Sequence, residues 1–313
     1  MSWGRRITIG FGWAAVVVGL FGVYLHVSSS TVKLLILLAS FAPYLMLGGV
    51  LGFVVLAIAR HWVGVAVGGL VIGASVATQL PGYLPNGTPG AGPAMTVMQT
   101  NILFGGGDAG VVVDEVRRNG VDLLTVSELT DDALTRLDAA GVGSELPHRY
   151  VAPGPGGSGT GMWSRYPLDE HKRYDGFALA QLSARMLMPD GQAVTVFALH
   201  PVPPYPVTEQ WVSEMRRVEQ ILADVSSGPA IVGADMNSTT DHSLFRDVLS
   251  TRFENAAGQV GAGIVPTFPA EKWYPAIIGI DHILLAGARA ESVRTVEIPH
   301  ADHLAIIADL RLD

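Results

Sequence analysis

Six short polar motifs occur in order along the chain after residue 95, and most of them stand at the end of an apolar run. They are Gln-Thr-Asn101, Ser-Glu128, Leu-His200, Ala-Asp235-Met-Asn237, Ile-Asp281-His282 and Ala-Asp302-His303. Carboxylate, amide and imidazole groups together can bind a divalent cation, orient a water molecule and stabilise a phosphoryl group. A core strand has no packing use for such groups at its end, so the motifs predict a metal-assisted phosphoryl-transfer site.

The apolar runs have the continuous, β-branched composition of buried strands. They are Thr96–Met98, Leu123–Val126, Val194–Leu199, Ile231–Val232 and Ile277–Ile280. Helical periodicity alternates with them, at Ala109–Asn119, Asp131–Ala140 and Thr208–Val225. Strands that alternate with helices and then form hairpin-like pairs predict an α/β sandwich with mixed sheets.

The first 80 residues have the composition of a membrane segment. They contain no Asp or Glu, and four basic residues separate three apolar stretches, Ile7–Val27, Leu34–Ala59 and Val63–Leu80. A bilayer core of roughly 30 Å needs about 20 apolar residues per helix, and the third stretch is at the short end of that range. A cleaved signal peptide would leave a polar mature protein, and core helices would have a polar face. We therefore expect a membrane domain at 1–80 with three transmembrane helices, at about 7–27, 34–59 and 63–80.

Basic residues also predict the orientation of these helices. Arg5 and Arg6 precede the first stretch and Arg60 lies between the second and third, whereas only Lys33 lies between the first two. Since basic residues favour the cytoplasmic side, the N-terminus is expected in the cytoplasm and everything after residue 80 outside it. The expected protein is a multi-pass cell-membrane protein, in which a Pro/Gly linker at 81–94 leads to an extracytoplasmic catalytic domain at 95–313.

The charge of the outer domain limits its partners. The chain has 20 basic and 28 acidic residues, and residues 1–80 contribute four and none of them. The remainder therefore carries a net charge of −12. Proteins that bind duplex DNA neutralise several phosphates with a basic surface. This domain would repel a polyanion unless a local basic patch overrides its mean charge.

The ordered motifs, with Gly159-Thr-Gly-Met-Trp-Ser-Arg165 between them, resemble the endonuclease/exonuclease/phosphatase superfamily over about residues 95–313. The resemblance implies a four-layer α/β/β/α sandwich, with two mixed sheets flanked by helices and the site at one edge of the paired sheets. It also implies hydrolysis of phosphoric esters with Mg²⁺ or Mn²⁺ as cofactor. The layout of three N-terminal helices before this domain is similar to that of bacterial teicoplanin-resistance membrane proteins, which are thought to act on polyprenyl-phosphate carriers.

The resemblance also assigns roles to residues of this chain. Asn101, Glu128 and Asp302 are expected at the metal, which as a hard cation prefers oxygen ligands. The expected catalytic residues are His200, Asp235, Asn237, Asp281, Asp302 and His303. His303, paired with Asp302, would be a general base or a charge-stabilising contact to the phosphate. His200 would donate to a phosphoryl oxygen or protonate the leaving group.

The remaining catalytic residues have positioning roles in the same resemblance. Asp281 would orient or polarise the histidine chemistry, and Asp235 with Asn237 would position the attacking water and the phosphate. Ala234, Met236 and Ala301 are mild departures from the residues usual in these motifs. Leu103 stands where abasic-site endonucleases carry a second metal-binding Asp, which argues against that branch.

Three functions remain open at this point. The first is an extracytoplasmic phosphatase or phosphodiesterase, held at the lipid bilayer and acting on lipid-linked phosphate, with no obligatory protein partner. The proline-rich segment Pro201–Pro206 after His200 could then form a wall for an apolar substrate or touch the membrane. The second is a surface nuclease that cleaves DNA or RNA, which the net charge makes the runner-up. The third is a membrane-anchored binding module, which would require loss of a key residue.

Overall fold

The computed structural model describes residues 2–86 and 90–313, which form two compact units. One unit contains the N-terminal helices up to Pro81 together with the segment Thr239–Arg246, and the other contains Gly82–Ser238 and Asp247–Asp313. We call them the helical unit and the catalytic unit. The expected linker at 81–94 includes residues 87–89, which lie outside the described residues.

The helical unit contains α1 (Trp3–Val27), α2 (Lys33–Ala39), α3 (Ala42–Ile58) and α4 (Trp62–Gln79), followed by a 3-10 turn at Leu80–Tyr83. By length and composition, α1 and the helix that runs from Trp62 to Tyr83 could each cross a membrane. Gly19 of α1 lies directly against the backbone at Gly49 of α3. Small residues at such a crossing let two helix backbones approach closely, as in membrane helix pairs.

The prediction of one continuous helix at 34–59 is wrong in one respect, because the structure has two helices there. The structure divides it into α2 and α3, which meet at an angle of 73°. If these two bent helices together cross the membrane once, they form a third candidate span. Pro43 lies in the first turn of α3. Its ring would clash with the carbonyl of Ala39 in a continuous helix, so α2 ends at Ala39 and a new helix begins.

The catalytic unit contains twelve strands and six helices among its described residues. The strands are β1 (Ala94–Asn101), β2 (Leu123–Ser127), β3 (His148–Ala152), β4 (Thr160–Ser164), β5 (Leu168–Arg173), β6 (Leu182–Leu187), β7 (Ala193–Leu199), β8 (Ala230–Asp235), β9 (Glu254–Asn255), β10 (Asp281–Ala286), β11 (Ala288–Glu297) and β12 (Leu304–Leu312). The helices are α5 (Ala109–Asn119), α6 (Asp131–Ala140), α7 (Val142–Glu145), α8 (Thr208–Ala223), α9 (Ser243–Leu249) and α10 (Ala256–Gln259), of which α9 begins in the segment that belongs to the helical unit.

Two six-stranded mixed sheets pack face to face, as the resemblance implied. Their strand orders are β11-β12-β1-β2-β4-β3 and β5-β6-β7-β8-β10-β9. Apolar side chains from both sheets, such as Val97 and Val196, fill the layer between them. On the outer face of the first sheet, Val112 of α5 and Leu137 of α6 pack against Val126 and its neighbours. The predicted four-layer α/β/β/α sandwich is confirmed.

Three strands that the sequence did not predict lie at sheet edges. They are β3, β5 and β9, each of which pairs on one side with a single neighbour. Their side chains are half-buried or exposed, and β5 is mostly polar. Edge strands are typically short or charged because such residues discourage pairing with other chains. A search for buried apolar runs cannot detect strands of this kind.

The apolar run Ile277–Ile280 is not a strand, contrary to expectation. In this stretch only Ile278 makes an isolated bridge, with Phe268, and the strand β10 begins afterwards, at Asp281. β10 runs antiparallel to β8, with Asp281 opposite Asp235. The start of an antiparallel strand lies at the same sheet edge as the end of its neighbour. Asp281, at the start of β10, therefore lies at the same sheet edge as Asp235, at the end of β8.

Candidate active site

The strand register brings the polar motifs to one edge of the sandwich. In the first sheet β1 and β2 are parallel, so Asn101 at the end of β1 and Glu128 just beyond β2 lie side by side. β12 is antiparallel to β1, and His303 directly precedes β12. In the second sheet β7 and β8 are parallel, which places His200 and Asp235 at corresponding ends. All the predicted site residues thus lie at the same edge.

Asn101 connects the two sheets at the bottom of this site. Its side-chain Nδ2 donates to Glu128 Oε1 at 3.1 Å and to Asp235 Oδ2 at 3.0 Å. Its Oδ1 accepts the backbone N–H of Leu103 at 2.9 Å, and the residue is 1% exposed. One neutral amide therefore separates two carboxylates that would otherwise repel each other, and it fixes the orientation of both.

Glu128 has a backbone conformation that favours glycine. Its φ is +63°, in the left-handed region, which costs a non-glycine residue free energy and tends to persist where function requires it. The turn aims the side chain back at the loop that follows Asn101, where Oε2 accepts the backbone N–H of Phe104 at 2.6 Å. Gly157 lies against the Glu128 carboxyl and the Phe104 ring, so a Cβ there would contact both.

A buried histidine–carboxylate pair occupies the centre of the site. The Nδ1 atom of His303 lies 2.7 Å from Asp281 Oδ2, and both side chains are almost fully buried. The hydroxyl of Thr267 accepts the backbone N–H of Asp281 at 3.2 Å, and the Phe268 ring packs against the imidazole with 5.0 Å between centroids. With Nδ1 held by the carboxylate, Nε2 is the atom of His303 that can exchange a proton with a substrate or water.

Asp235 lies between His200 and His303. Its Oδ2 is 3.5 Å from His200 Nε2 and 3.8 Å from His303 Nε2. Its Oδ1 accepts the backbone N–H of Asn237 at 2.9 Å, which closes a tight turn in which Asn237 has φ +48°. The Asn237 side chain donates to the carbonyl of Pro201 at 3.0 Å. The Asp235–Asn237 loop is therefore bonded to the chain that follows His200.

His200 is positioned by a residue that sequence reasoning missed. The Gln181 side chain accepts the backbone N–H of His200 at 2.7 Å and donates to its carbonyl at 2.6 Å. These two hydrogen bonds fix the backbone of His200 where β7 ends. Gln181 is fully buried, yet it lies inside a run that reads as an ordinary strand, so composition gives no sign of its role. Thr267 and Phe268 were missed for the same reason, because no polar motif accompanies them.

Several polar atoms of the site residues have no hydrogen-bond partner in the described part of the chain. They are His200 Nδ1, Asp281 Oδ1 and Asp302 Oδ1, all buried. Native proteins satisfy nearly all buried polar atoms, and exceptions cluster where a ligand or ion binds. The three atoms are therefore available to a bound group.

The donor set fits a divalent cation. Asp235, Asp281 and His303 each offer a ligand atom within 4.8 Å of the others. Two of the residues expected at the metal, Glu128 and Asp302, are close enough to interact electrostatically. The pKa of the Asp302 carboxyl is raised by burial, lowered by the charge of His303 and raised by the Glu128 carboxylate, with a net increase. Two carboxyl groups that repel each other across a buried site are stabilised together when a hard cation binds between them. The assignment of Asn101, Glu128 and Asp302 to the metal remains a prediction.

The charge of His303 follows from its surroundings. Burial lowers the pKa of the imidazole, but the charges of Asp281 and Asp235 and the hydrogen bond to Asp281 raise it to about 10. The residue is therefore an imidazolium at neutral pH and can donate from Nε2 to a phosphoryl oxygen. A cation bound by the neighbouring carboxylates would lower this pKa and make the neutral imidazole available as a base.

Other polar residues of the catalytic unit form ion pairs, a helix cap and hydrogen bonds. Arg165 and Arg185 form ion pairs with Asp122 and Asp169. Asp108 caps the start of α5 by accepting two backbone N–H groups. His282, next to Asp281, has Nε2 2.8 Å from the carbonyl of Ser238 and Nδ1 2.9 Å from the side chain of Asn255. Both arginines are therefore engaged in ion pairs with carboxylates of the catalytic unit.

Comparison with known proteins places this arrangement in one family. Residues 98–303, about two thirds of the chain, match the sequence model described as the endonuclease/exonuclease/phosphatase family. The matched range includes every residue assigned to the site. Curated protein sequences gave no match.

Solved structures of the same fold are distant in sequence. An endonuclease/exonuclease/phosphatase from Beutenbergia cavernae is 17% identical, with a TM-score of 0.57 over 70% of this chain and 72% of its own. A D. rerio TDP2 humanised by 14 mutations is 13% identical, with a TM-score of 0.60 over 70% and 99%. D. rerio TDP2 complexed with a single-strand DNA product is 14% identical, with a TM-score of 0.59 over the same shares. At these identities the likeness concerns the fold.

Proposed function

The chain belongs to the endonuclease/exonuclease/phosphatase family, and from that premise we propose that it is a membrane-anchored phosphoric ester hydrolase that acts on lipid-linked phosphate with Mg²⁺ or Mn²⁺. The substrate class includes polyprenyl phosphate carriers, in keeping with the layout shared with teicoplanin-resistance membrane proteins. The proposal includes a cytoplasmic N-terminus and an extracytoplasmic catalytic unit, and it needs no protein partner.

One observation carries the choice of a lipid substrate. Among the described residues from 90 onward, the large apolar side chains that are well exposed are Phe104, Tyr205, Val207 and Trp273, with Trp273 95% exposed. All lie in loops that also carry site residues. Scattered exposed apolar residues need no explanation, but aromatic residues grouped around one site favour an apolar ligand or surface.

The position of each aromatic residue relative to the site follows from its loop. Phe104 donates its backbone N–H to Glu128. Tyr205 follows His200 in the proline-rich segment, whose Pro201 accepts a bond from Asn237. Trp273 stands three residues after Ala270, whose backbone N–H donates to the Asp302 carbonyl at 2.7 Å. The three residues thus lie in three loops that are each bonded to a residue of the site, and we propose that they contact the hydrocarbon chain of a bound lipid phosphate.

The chemistry proposed for the site uses residues that already contact one another. Glu128, with Asn101 and Asp302, would hold the cation, which supplies charge neutralisation at the phosphoryl oxygens and a more acidic water. Asp235 and His303 converge where the attacking water and a phosphoryl oxygen would lie, since their side chains are within 4 Å of each other.

His200 and Asn237 complete the proposed arrangement. His200 would protonate the leaving oxygen or bond to a phosphoryl oxygen, and its backbone is held by Gln181. Asn237 would hold the phosphate in line, because its turn is closed on Asp235. Fixed donors of this kind contribute most of the rate in phosphoryl transfer, where the protein does little covalent chemistry.

A nuclease is the second candidate, and one observation favours it. A structural neighbour, D. rerio TDP2, was solved in complex with a single-strand DNA product. Against it stand the net charge of −12 outside residues 1–80 and the ion pairs that neutralise Arg165 and Arg185. A single phosphate held by a cation tolerates an acidic surface, whereas a polynucleotide meets that surface along its whole length.

The test is hydrolysis by the detergent-purified full-length protein with Mg²⁺ or Mn²⁺. Polyprenyl phosphate and pyrophosphate, sphingomyelin, and plasmid and single-stranded DNA are offered in parallel, with Glu128→Gln as the inactive control. The expected result is metal-dependent release of phosphate or headgroup from a lipid only, abolished in the variant. Cleavage of DNA alone would replace the proposal with the nuclease. Glu128→Gln at wild-type rates would overturn the assigned site.

A further inference from the structure

The segment that follows the Asp235–Asn237 loop is part of the helical unit. Thr239–Arg246 clusters with the N-terminal helices, while Ser238 and everything from Gly82 up to it belong to the catalytic unit. Only Ser238 separates Asn237 from this segment. The catalytic loop is therefore continuous, through one residue, with a stretch of chain whose packing partners lie in α1, α2 and α4.

Asp241 bonds the segment to two of the N-terminal helices. It is 2% exposed, and its Oδ1 lies 2.7 Å from His26 Nδ1 and 2.9 Å from Gln79 Nε2. His26 is in the last turn of α1, and Gln79 is the last residue of α4. A buried carboxylate is tolerated only when donors compensate for its lost hydration. Two helix ends supply those donors here.

Two further contacts fix the segment within the helical unit. His242 has Nε2 3.0 Å from the carbonyl of Ile36 in α2, and its Nδ1 accepts the backbone N–H of Thr239 at 2.9 Å. The Arg246 guanidinium donates to the carbonyl of His26 and, at 3.0 Å, to that of Thr240. Each of the three helices α1, α2 and α4 therefore bonds to the segment.

The opposite end of the connection is fixed inside the catalytic unit. The carbonyl of Ser238 accepts from His282 Nε2 at 2.8 Å. His282 directly follows Asp281, which holds His303. The Asp235–Asn237 turn thus has bonded neighbours on both sides, and removing either set would let Asp235 and Asn237 shift.

A simple anchor would not need these polar groups. Ionisable residues within membrane helices are costly, and they are retained where they contribute to function. Helices that only tether a domain would end in residues that contact water or lipid headgroups. Here the ends of α1 and α4 instead direct His26 and Gln79 to one buried carboxylate on the chain that leaves the catalytic loop.

We propose that Asp241, held by His26 and Gln79 within the helical unit, positions the Asp235–Asn237 loop for catalysis through the chain that joins them at Ser238. The kinetic test of this inference rests on the proposed hydrolase function, whereas the test by hydrogen exchange does not. Asp241, His26 and Gln79 are positioning residues, because they act on the substrate only through Asp235 and Asn237.

The first readout is kinetic and uses full-length protein in detergent. Gln79→Ala and Asp241→Ala are compared with Ser75→Ala, a matched control on α4 whose hydroxyl donates to the carbonyl of Val71 in the same helix. The substrate is bis(4-nitrophenyl) phosphate, which is soluble and needs no membrane. A misplaced catalytic group costs up to about 100-fold, so we expect kcat to fall about 10- to 100-fold with KM nearly unchanged. Asp241→Asn, whose Oδ1 can still accept from both partners, should recover most of the rate.

The second readout does not depend on activity. Hydrogen–deuterium exchange of the same proteins reports the backbone amides of residues 235–242, including the Asn237 N–H that bonds to Asp235. We expect faster exchange there in Gln79→Ala and Asp241→Ala and wild-type exchange in Ser75→Ala. Wild-type exchange in the loop of both Ala variants, or a wild-type kcat despite faster exchange, would overturn the proposal. If wild-type protein hydrolyses no ester at all, the proposed function fails, and loop exchange alone decides the coupling.

Discussion

His303 and Asp281, whose side chains meet at 2.7 Å, belong to different sheets of the sandwich. Asp281 begins β10 of the second sheet, and His303 directly precedes β12 of the first. The bond between Asn101 and Asp235 also joins the two sheets. The candidate active site is therefore assembled by sheet packing, and its geometry depends on the apolar layer between the sheets.

The His303–Asp281 bond predicts the effect of removing one charge. Asp281→Asn keeps an acceptor beside Nδ1 but removes the carboxylate that stabilises the imidazolium. We expect kcat to fall about 100-fold or more, because positioned acid–base groups contribute at least that much. The alkaline limb of the pH–rate profile should also move to lower pH. The check is kcat against pH for both proteins, and superimposable profiles would contradict the assigned pair.

The charge of His303 predicts a pH dependence of stability. Its folded pKa of about 10 lies above the ordinary value of 6.5, so protonation favours the folded state. This stabilisation is complete below pH 6.5 and is lost as the pH rises towards 10. In EDTA, the Tm of the wild type should therefore fall over this range relative to that of His303→Gln. Parallel Tm curves for the two proteins would disprove the imidazolium assignment.

Asn101 is expected to control metal affinity. Asn101→Ala removes the amide that bonds to both Glu128 and Asp235, so two carboxylates lose their shared donor. Loss of a residue that orients a ligand typically weakens metal binding about 10- to 100-fold. The measurement is the Mg²⁺ concentration for half-maximal activity. Asn119→Ala, at the far end of α5, is the control and should leave it unchanged, and an unchanged value in Asn101→Ala would be evidence against this role.

The exposed aromatic residues predict that their substitution lowers activity on lipid phosphates but not on a small soluble ester. Trp273→Ser and Phe104→Ser should lower kcat/KM for a polyprenyl or acyl-chain phosphate by about tenfold each, since burying a large apolar side chain against a ligand contributes about 1.5–3 kcal/mol. Turnover of bis(4-nitrophenyl) phosphate should stay near the wild-type value. Asp190→Ser, in the turn at the opposite end of β7, is the surface control. Equal losses on both substrates would show that these residues support folding and not lipid binding.

The sequence predicts the inner elements of the catalytic unit because their signals are local. The bounds of α5 and α6 agree with expectation residue for residue, since Asp108 and Thr130 cap their starts and left-handed glycines, Gly120 and Gly141, end them. Buried strands are equally visible as apolar runs. The polar residues that follow those runs then predict most of the site.

What the sequence does not predict depends on pairing across the fold. Asp281 follows an apolar run that forms no strand, and only the antiparallel register with Asp235 explains its position. Gln181 positions His200 from a neighbouring strand, a contact that no local pattern encodes. The break at Pro43 is visible as a proline, but composition alone favoured one continuous span.

The helical unit is discontinuous along the chain, and this affects the order of synthesis. α1 and α4 leave the ribosome well before Thr239–Arg246, with the whole stretch from Gly82 to Ser238 made in between. Until then His26 and Gln79 lack the carboxylate that they bond in the finished protein. The first elements to be made are thus completed by a late segment, so a nascent chain that stops before β8 leaves both units unfinished.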